Sequence, residues 1–129
     1  MRHKGNISEI QIERNRSIRD IYTSIKRTMR HSTVYGICRE VANTEVERHY
    51  ISEERAYVIY MEWIIYGTVT ADSHWKLLLY INFIFLCDSI PRNNRTIKDI
   101  VREALSYRAP CMGISPNRIM RIVSEGGLR

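Results

Sequence analysis

The chain has 129 residues, 44% hydrophobic and 26% charged, with three prolines and six glycines. These proportions exclude a disordered chain and fit one compact domain or two tightly fused halves. The net charge of +6 is unevenly placed: Lys and Arg lead Asp and Glu by eight to three over residues 1–31, trail by four to eight over 32–91, and lead by eight to three again over 92–129.

Residues 1–13 hold no sustained period and read as a mobile basic arm. From Arg14 a helical period begins, with Ile18, Ile21, Tyr22, Ile25 and Met29 on one face. This helix should end near His31. Ser32 and Thr33 offer a capping oxygen for a second helix, whose stripe is Val34, Ile37, Cys38 and Val41. It fades near Asn43.

The third start signal is stronger. Ser52 caps, Glu53 and Glu54 sit where the helix dipole favours negative charge, and Ile51 is placed to staple onto Ala56. The helix runs through Trp63 to a stop at Gly67. A fourth apolar segment covers His74–Ser89, with Trp75, Leu78, Ile81, Phe83 and Phe85 prominent, until Pro91 and Asn93-Asn94 break it. Thr96 caps a fifth helix with Ile97, Ile100, Val101 and Ala104 on one face. Ser115 and Pro116 open a sixth, with Ile119, Ile122 and Val123, closing at Gly126-Gly127.

Composition alone leaves Tyr57–Tyr66 and Leu77–Leu86 open to a strand hairpin. An internal match decides for helix. A shift of 63 residues without a gap sets Ile18 on Ile81, Ile21 on Ile84, Tyr22 on Phe85, Thr33 on Thr96, and Ile37, Arg39 and Glu40 on Ile100, Arg102 and Glu103. It also sets Ile51, Ser52, Arg55 and Ile59 on Ile114, Ser115, Arg118 and Ile122. The matches fall on caps and apolar stripes, where a repeat would keep them. The expected fold is therefore all-α, about six helices in two tandem three-helix, helix-turn-helix-like units over 14–67 and 74–126 that share one core. The aromatics of the two central helices, Trp63 and Trp75 included, are expected in that core.

The three cysteines, Cys38, Cys87 and Cys111, are odd in number and widely spaced. They argue against a disulfide framework or a zinc site and for core packing in a reducing cytoplasm. The longest apolar run, Leu77 to Cys87, is about half of the ~20 residues a membrane span needs. No glycine-rich phosphate loop and no metal-spaced cluster is present, and His3, His31, His49 and His74 are scattered. No cofactor, no metal and no enzymatic activity are expected.

Basic ends around an acidic middle point to a polyanion. The stretch from Gly113 to Ile122 resembles the turn and recognition helix of helix-turn-helix proteins, with Asn117 and Arg121 four residues apart. They are the candidates for base edges, and Arg108, Arg95 and Lys98 for phosphates. The connection before this helix is longer than the tight turn of that motif. The matching first-unit helix has Glu54 and Val58 instead, which suits phosphate poorly. Glu40 with Arg55 and Glu103 with Arg118 recur in both copies and read as internal salt bridges.

The block Arg48-His49-Tyr50-Ile51-Ser52-Glu53-Glu54-Arg55-Ala56 resembles a family of uncharacterised proteins from Bacteroidetes genomes and their phages or mobile elements. That resemblance implies a bacterial or phage source and a second, weaker copy, and supplies no activity. Duplex DNA is the expected partner of a cytoplasmic, non-enzymatic protein with a regulator's role. The alternative is an interaction or structural module, a homo-oligomer through the apolar helices 56–66 and 74–89.

Overall fold

The computed structural model describes residues 8–125. Among them are six helices: α1 (Glu9–Thr28), α2 (Val34–Ala42), α3 (Glu53–Tyr66), α4 (His74–Ser89), α5 (Ile97–Leu105) and α6 (Pro116–Glu125). The fold is all-α. The segments of strand-like composition are the helices α3 and α4, because each has a capping serine and a defined stop. Ser52 accepts from the Arg55 amide and Ser73 from the Lys76 amide, both at 3.2 Å. Gly67 ends α3 in the left-handed region at φ 68°, where a side chain would be strained.

Helix α1 starts earlier than its apolar period. Ser8 and Gln11 cap each other's backbone, which fixes the first turn at Glu9. Residues 9–13 of the expected arm are therefore helical, and residues 1–7 lie outside the described residues. Thr96 and Asp99 form the same reciprocal cap at α5.

The helices gather into two compact units. Within the described residues, one joins 8–41 to 116–125 and holds α1, α2 up to Val41, and α6; the other is Ala42–Ser115 and holds α3, α4 and α5. These boundaries run differently from the expected 14–67 and 74–126. In the first unit α1 packs on α6, and Ile18, Tyr22, Ile37, Cys38, Ile119 and Val123 are buried. In the second, α3 packs on α4 and α5, and α4 on α5; Tyr60, Phe83, Ile100 and Met112 are among the buried side chains.

The second unit also holds the two connections, 43–52 and 106–115. They meet in one antiparallel bridge. The Val46 amide donates to the Ala109 carbonyl at 2.9 Å and the Ala109 amide to the Val46 carbonyl at 2.8 Å. Beside it Arg108 donates to Glu45 at 2.8 Å. Both pairs join positions 63 residues apart.

Burial does not follow the gapless match between α1 and α4. Tyr22 is buried, whereas Phe85, set upon it, is 66% exposed. Moving the match two residues back puts Ile18 on Leu79 and Tyr22 on Phe83, all four buried. Helices α2 and α5 keep the original offset end to end. The difference lies in the turns, 29–33 against 90–96. The longer turn places Asn93 and Asn94 at φ 44° and 66°, a conformation Asn tolerates better than most side chains.

Two aromatics expected in the core stand at its edge. Trp63 and Trp75 are half-buried, their indole N–H groups donating to Asp88 at 3.3 Å and to Asn43 at 3.4 Å. A ring with a polar tip satisfies both demands there. The three cysteines are free and buried, as packing residues. Burial, with Asp88 adding to it, pushes the Cys87 thiol up to about 12. Among the described residues, no helix is long and apolar enough to cross a membrane.

Candidate nucleic-acid interface

The basic residues divide by what holds them. In the unit of α3, α4 and α5 most are committed to neighbours. Arg95 donates to the Glu103 carboxylate and, at 2.9 Å, to the Pro91 carbonyl. Arg108 pairs with Glu45, and Arg102 with Glu53 at 3.1 Å. The Lys98 ammonium stands 5.7 Å from the centre of the Tyr57 ring, and the Arg55 guanidinium 5.8 Å from that of Tyr80. Of the expected phosphate contacts, Arg95 and Arg108 therefore have part of their charge offset locally, and Lys98 is drawn to an aromatic face.

Glu103 takes its partners nearby. The Tyr107 hydroxyl and Arg95 both donate to it and hold its carboxyl below the usual range. The expected pairs Glu40–Arg55 and Glu103–Arg118 each divide their members between the two units. Helix α5 packs on α3 and α4, and α6 on α1.

The unit of α1 and α6 is different. Here a cleft of about 350 Å3 is lined by Gln11, Arg14 and Asn15 of α1 and by Arg118, Arg121, Ile122 and Glu125 of α6. Both sets follow helical spacing, three, four and seven residues apart, so each helix turns one face inward. Among the described residues, three guanidiniums and one carboxylate line the cleft. Arg14 is half-buried, and burial first, then the neighbouring Arg118 charge, pulls its pKa down. Its Nε and Nη2 both donate to the Asn15 side-chain oxygen, at 3.1 and 2.9 Å. A neutral amide orients this guanidinium without neutralising it.

Of the residues expected to read DNA, Arg121 lines this cleft and Asn117 is exposed on the same helix. Arg118, expected in a bridge to Glu103, lines it too. Sequence reasoning missed Gln11, Arg14, Asn15 and Glu125. A signal was present, Gln11, Arg14 and Asn15 at helical spacing, but Gln11 fell in the stretch read as an arm, and the wet face of the helix beginning at Arg14 gave no sign of its partner.

Among the described residues His49 is the buried polar one, fully enclosed between the connections and α4. Its Nδ1–H donates to the Tyr107 carbonyl at 2.9 Å, and Nε2 meets the Asn82 side-chain amide at 2.7 Å. Burial holds its pKa below the ordinary value despite both hydrogen bonds. It is a satisfied structural histidine joining the connection to α4. Among the described residues, no group of three or more His, Cys, Asp or Glu is placed to hold a metal ion. No family model, curated protein or solved structure matches the chain.

Proposed function

We propose that the protein is a small, non-enzymatic DNA-binding protein, with a regulator's role, that engages the phosphate backbone through its α1–α6 surface. The observation that carries this reading is the cleft lined by Arg14, Arg118 and Arg121 together with Glu125. Gathering like charges costs energy that an anion offsets. The exposed Asn117 adds a side chain suited to a base edge. Recognition by a docked helix-turn-helix is not part of the proposal.

Fluorescence anisotropy with duplex DNA across a salt series tests it. Binding should be tightest at low salt and weaken steeply with added salt. No binding at low salt discards the reading.

A second reading has its own support. Val58, Ile65, Tyr66 and Phe85 are exposed large apolar side chains on α3 and α4. They favour an interaction module, and light scattering would then show a stable oligomer or complex. We further infer that the chain is a bacterial or phage duplication. The pairing of matched positions, Val46 with Ala109 and Glu45 with Arg108, supports this, as does the common span of α2 and α5.

A further inference from the structure

We propose that helix α4 is a self-association surface, pairing antiparallel with α4 of a second copy of the chain along Leu78, Ile81 and Phe85. This rests on the interaction-module reading and names its partner, a second copy, and its surface, one helix.

Composition demands cover on both sides of α4. Of its 16 residues only Lys76 and Asp88 are charged. A helix apolar nearly all round is normally enclosed by protein. The chain itself covers one side, where Leu79, Tyr80, Phe83, Ile84 and Cys87 are buried. The other side is open: Phe85 is 66% exposed, Leu78 41% and Leu77 37%.

The open side is its own complement. Leu78, Ile81 and Phe85 lie three and four residues apart on one face, and His74 and Asp88 continue that face to its two ends. A two-fold axis across the middle of α4, between Ile81 and Asn82, exchanges positions 78 and 85. Two copies crossing antiparallel therefore set each Phe85 ring against the partner's Leu78, with the two Ile81 side chains at the axis. An unrelated helix would need no such symmetry.

The polar ends agree with this direction. The antiparallel pair brings the His74 end of one helix to the Asp88 end of the other, an imidazole opposite a carboxylate. A parallel pair would set Asp88 beside Asp88, like charge on like. Asp88 accepts from Tyr60 at 2.7 Å and Trp63 at 3.3 Å, and a carboxylate has lone pairs for a further donor.

Size sets the strength. A strip of helix about 24 Å long and 10 Å wide covers well under the ~1,200 Å2 that stable complexes bury. The dimer is therefore reversible, with a dissociation constant on the order of 100 μM.

Sedimentation velocity of the 129-residue chain over roughly 1 μM to 1 mM tests it. Monomer should give way to dimer within that range. Phe85→Glu and Leu78→Lys should each weaken dimerisation by about thirtyfold or more. Both residues are exposed, so circular dichroism should show the fold kept. Ile65→Glu, on the exposed face of α3, should leave the dimer unchanged. An equimolar mixture of Phe85→Glu and Leu78→Lys should dimerise again, because the antiparallel register sets position 78 of one copy against 85 of the other.

A mixture that stays monomeric overturns the antiparallel pairing. Self-association that survives both α4 variants and is lost in Ile65→Glu overturns the α4 surface, while the interaction-module reading stands on α3. A wild-type chain still monomeric at about 1 mM overturns the second copy as partner and leaves that reading to a different protein.

Discussion

The α1–α6 and α3–α4 helix pairs are assembled from matching stretches of sequence and present opposite chemistry. On α6, Arg118, Arg121 and Glu125 face Arg14 and Asn15 of α1 across a polar cleft. On α3 the matches are Arg55, Val58 and Glu62. Val58 is half exposed, Arg55 rests on an aromatic ring, and α4 turns Leu77, Leu78 and Phe85 outward. Inside, the pairs agree: Ile18 and Leu79, Tyr22 and Phe83, and Ile59 and Ile122 are all buried. Packing holds the interior to apolar residues of suitable volume, while the outer faces are free to take up charge or lose it.

The comparison breaks most visibly in the core. Phe83→Ala should cost about 3–5 kcal/mol of stability in urea unfolding, the usual loss for a buried aromatic. Phe85→Ala should cost no more than about 0.5 kcal/mol, as for a surface change. Equal losses would restore the gapless match and undo the register given above.

The charge contrast is tested next. Arg121→Ala should weaken DNA binding and lower its salt slope by about 1, because one phosphate contact is lost. Val58→Ala, the same truncation at the matched position of α3, should leave both unchanged. If the two variants behave alike, the helix pairs do not differ in the way their side chains imply.

A smaller effect concerns His49, whose match is Met112. Burial keeps the His49 imidazole below its ordinary 6.5, so the unfolded chain takes up the proton more readily. The stability this confers is fully present above about pH 6.5 and is lost as pH falls through the lower folded value. Urea titrations from pH 8 to 5 should show wild type losing stability faster than His49→Met, which lacks the group. Parallel curves would mean that His49 is not held neutral.

The smallest effect is at the caps. Ser52→Ala should cost about 1 kcal/mol through the lost bond to the Arg55 amide. Ser73→Ala, removing the matching bond at α4, should cost about the same. Chemical denaturation of the two variants side by side reads both.

Much of the fold was legible because its signals are local. Caps at Thr33, Ser52 and Thr96, the stop at Gly67 and the stripes of α2 and α5 each lie within a few residues of what they determine. The α1 start was missed because its cap, Ser8 with Gln11, precedes a stretch without apolar period. The gapless match misled because two isoleucine identities, Ile18 with Ile81 and Ile21 with Ile84, outweighed burial, which sequence does not display. A turn two residues longer, 90–96, shifts every side chain of α4 round its axis. Partner choice was the least legible. That α6 packs on α1, and α3 on α4, is a long-range outcome, and with it went the cleft. Arg121 is singled out by its own helix, whereas Arg14 stands out only once that helix is seen to lie against it.

The division of the chain also sets an order of events during synthesis. The unit spanning Ala42–Ser115 is continuous, so all its helices are available before α6 is made. The other unit needs α1, translated before that segment, and α6, translated after it. Helix α1 leaves the ribosome early and waits, its Ile18 and Tyr22 uncovered, until α6 follows. A stalled chain that lacks α6 would therefore carry an uncovered apolar face on α1, a natural target for chaperones and proteases.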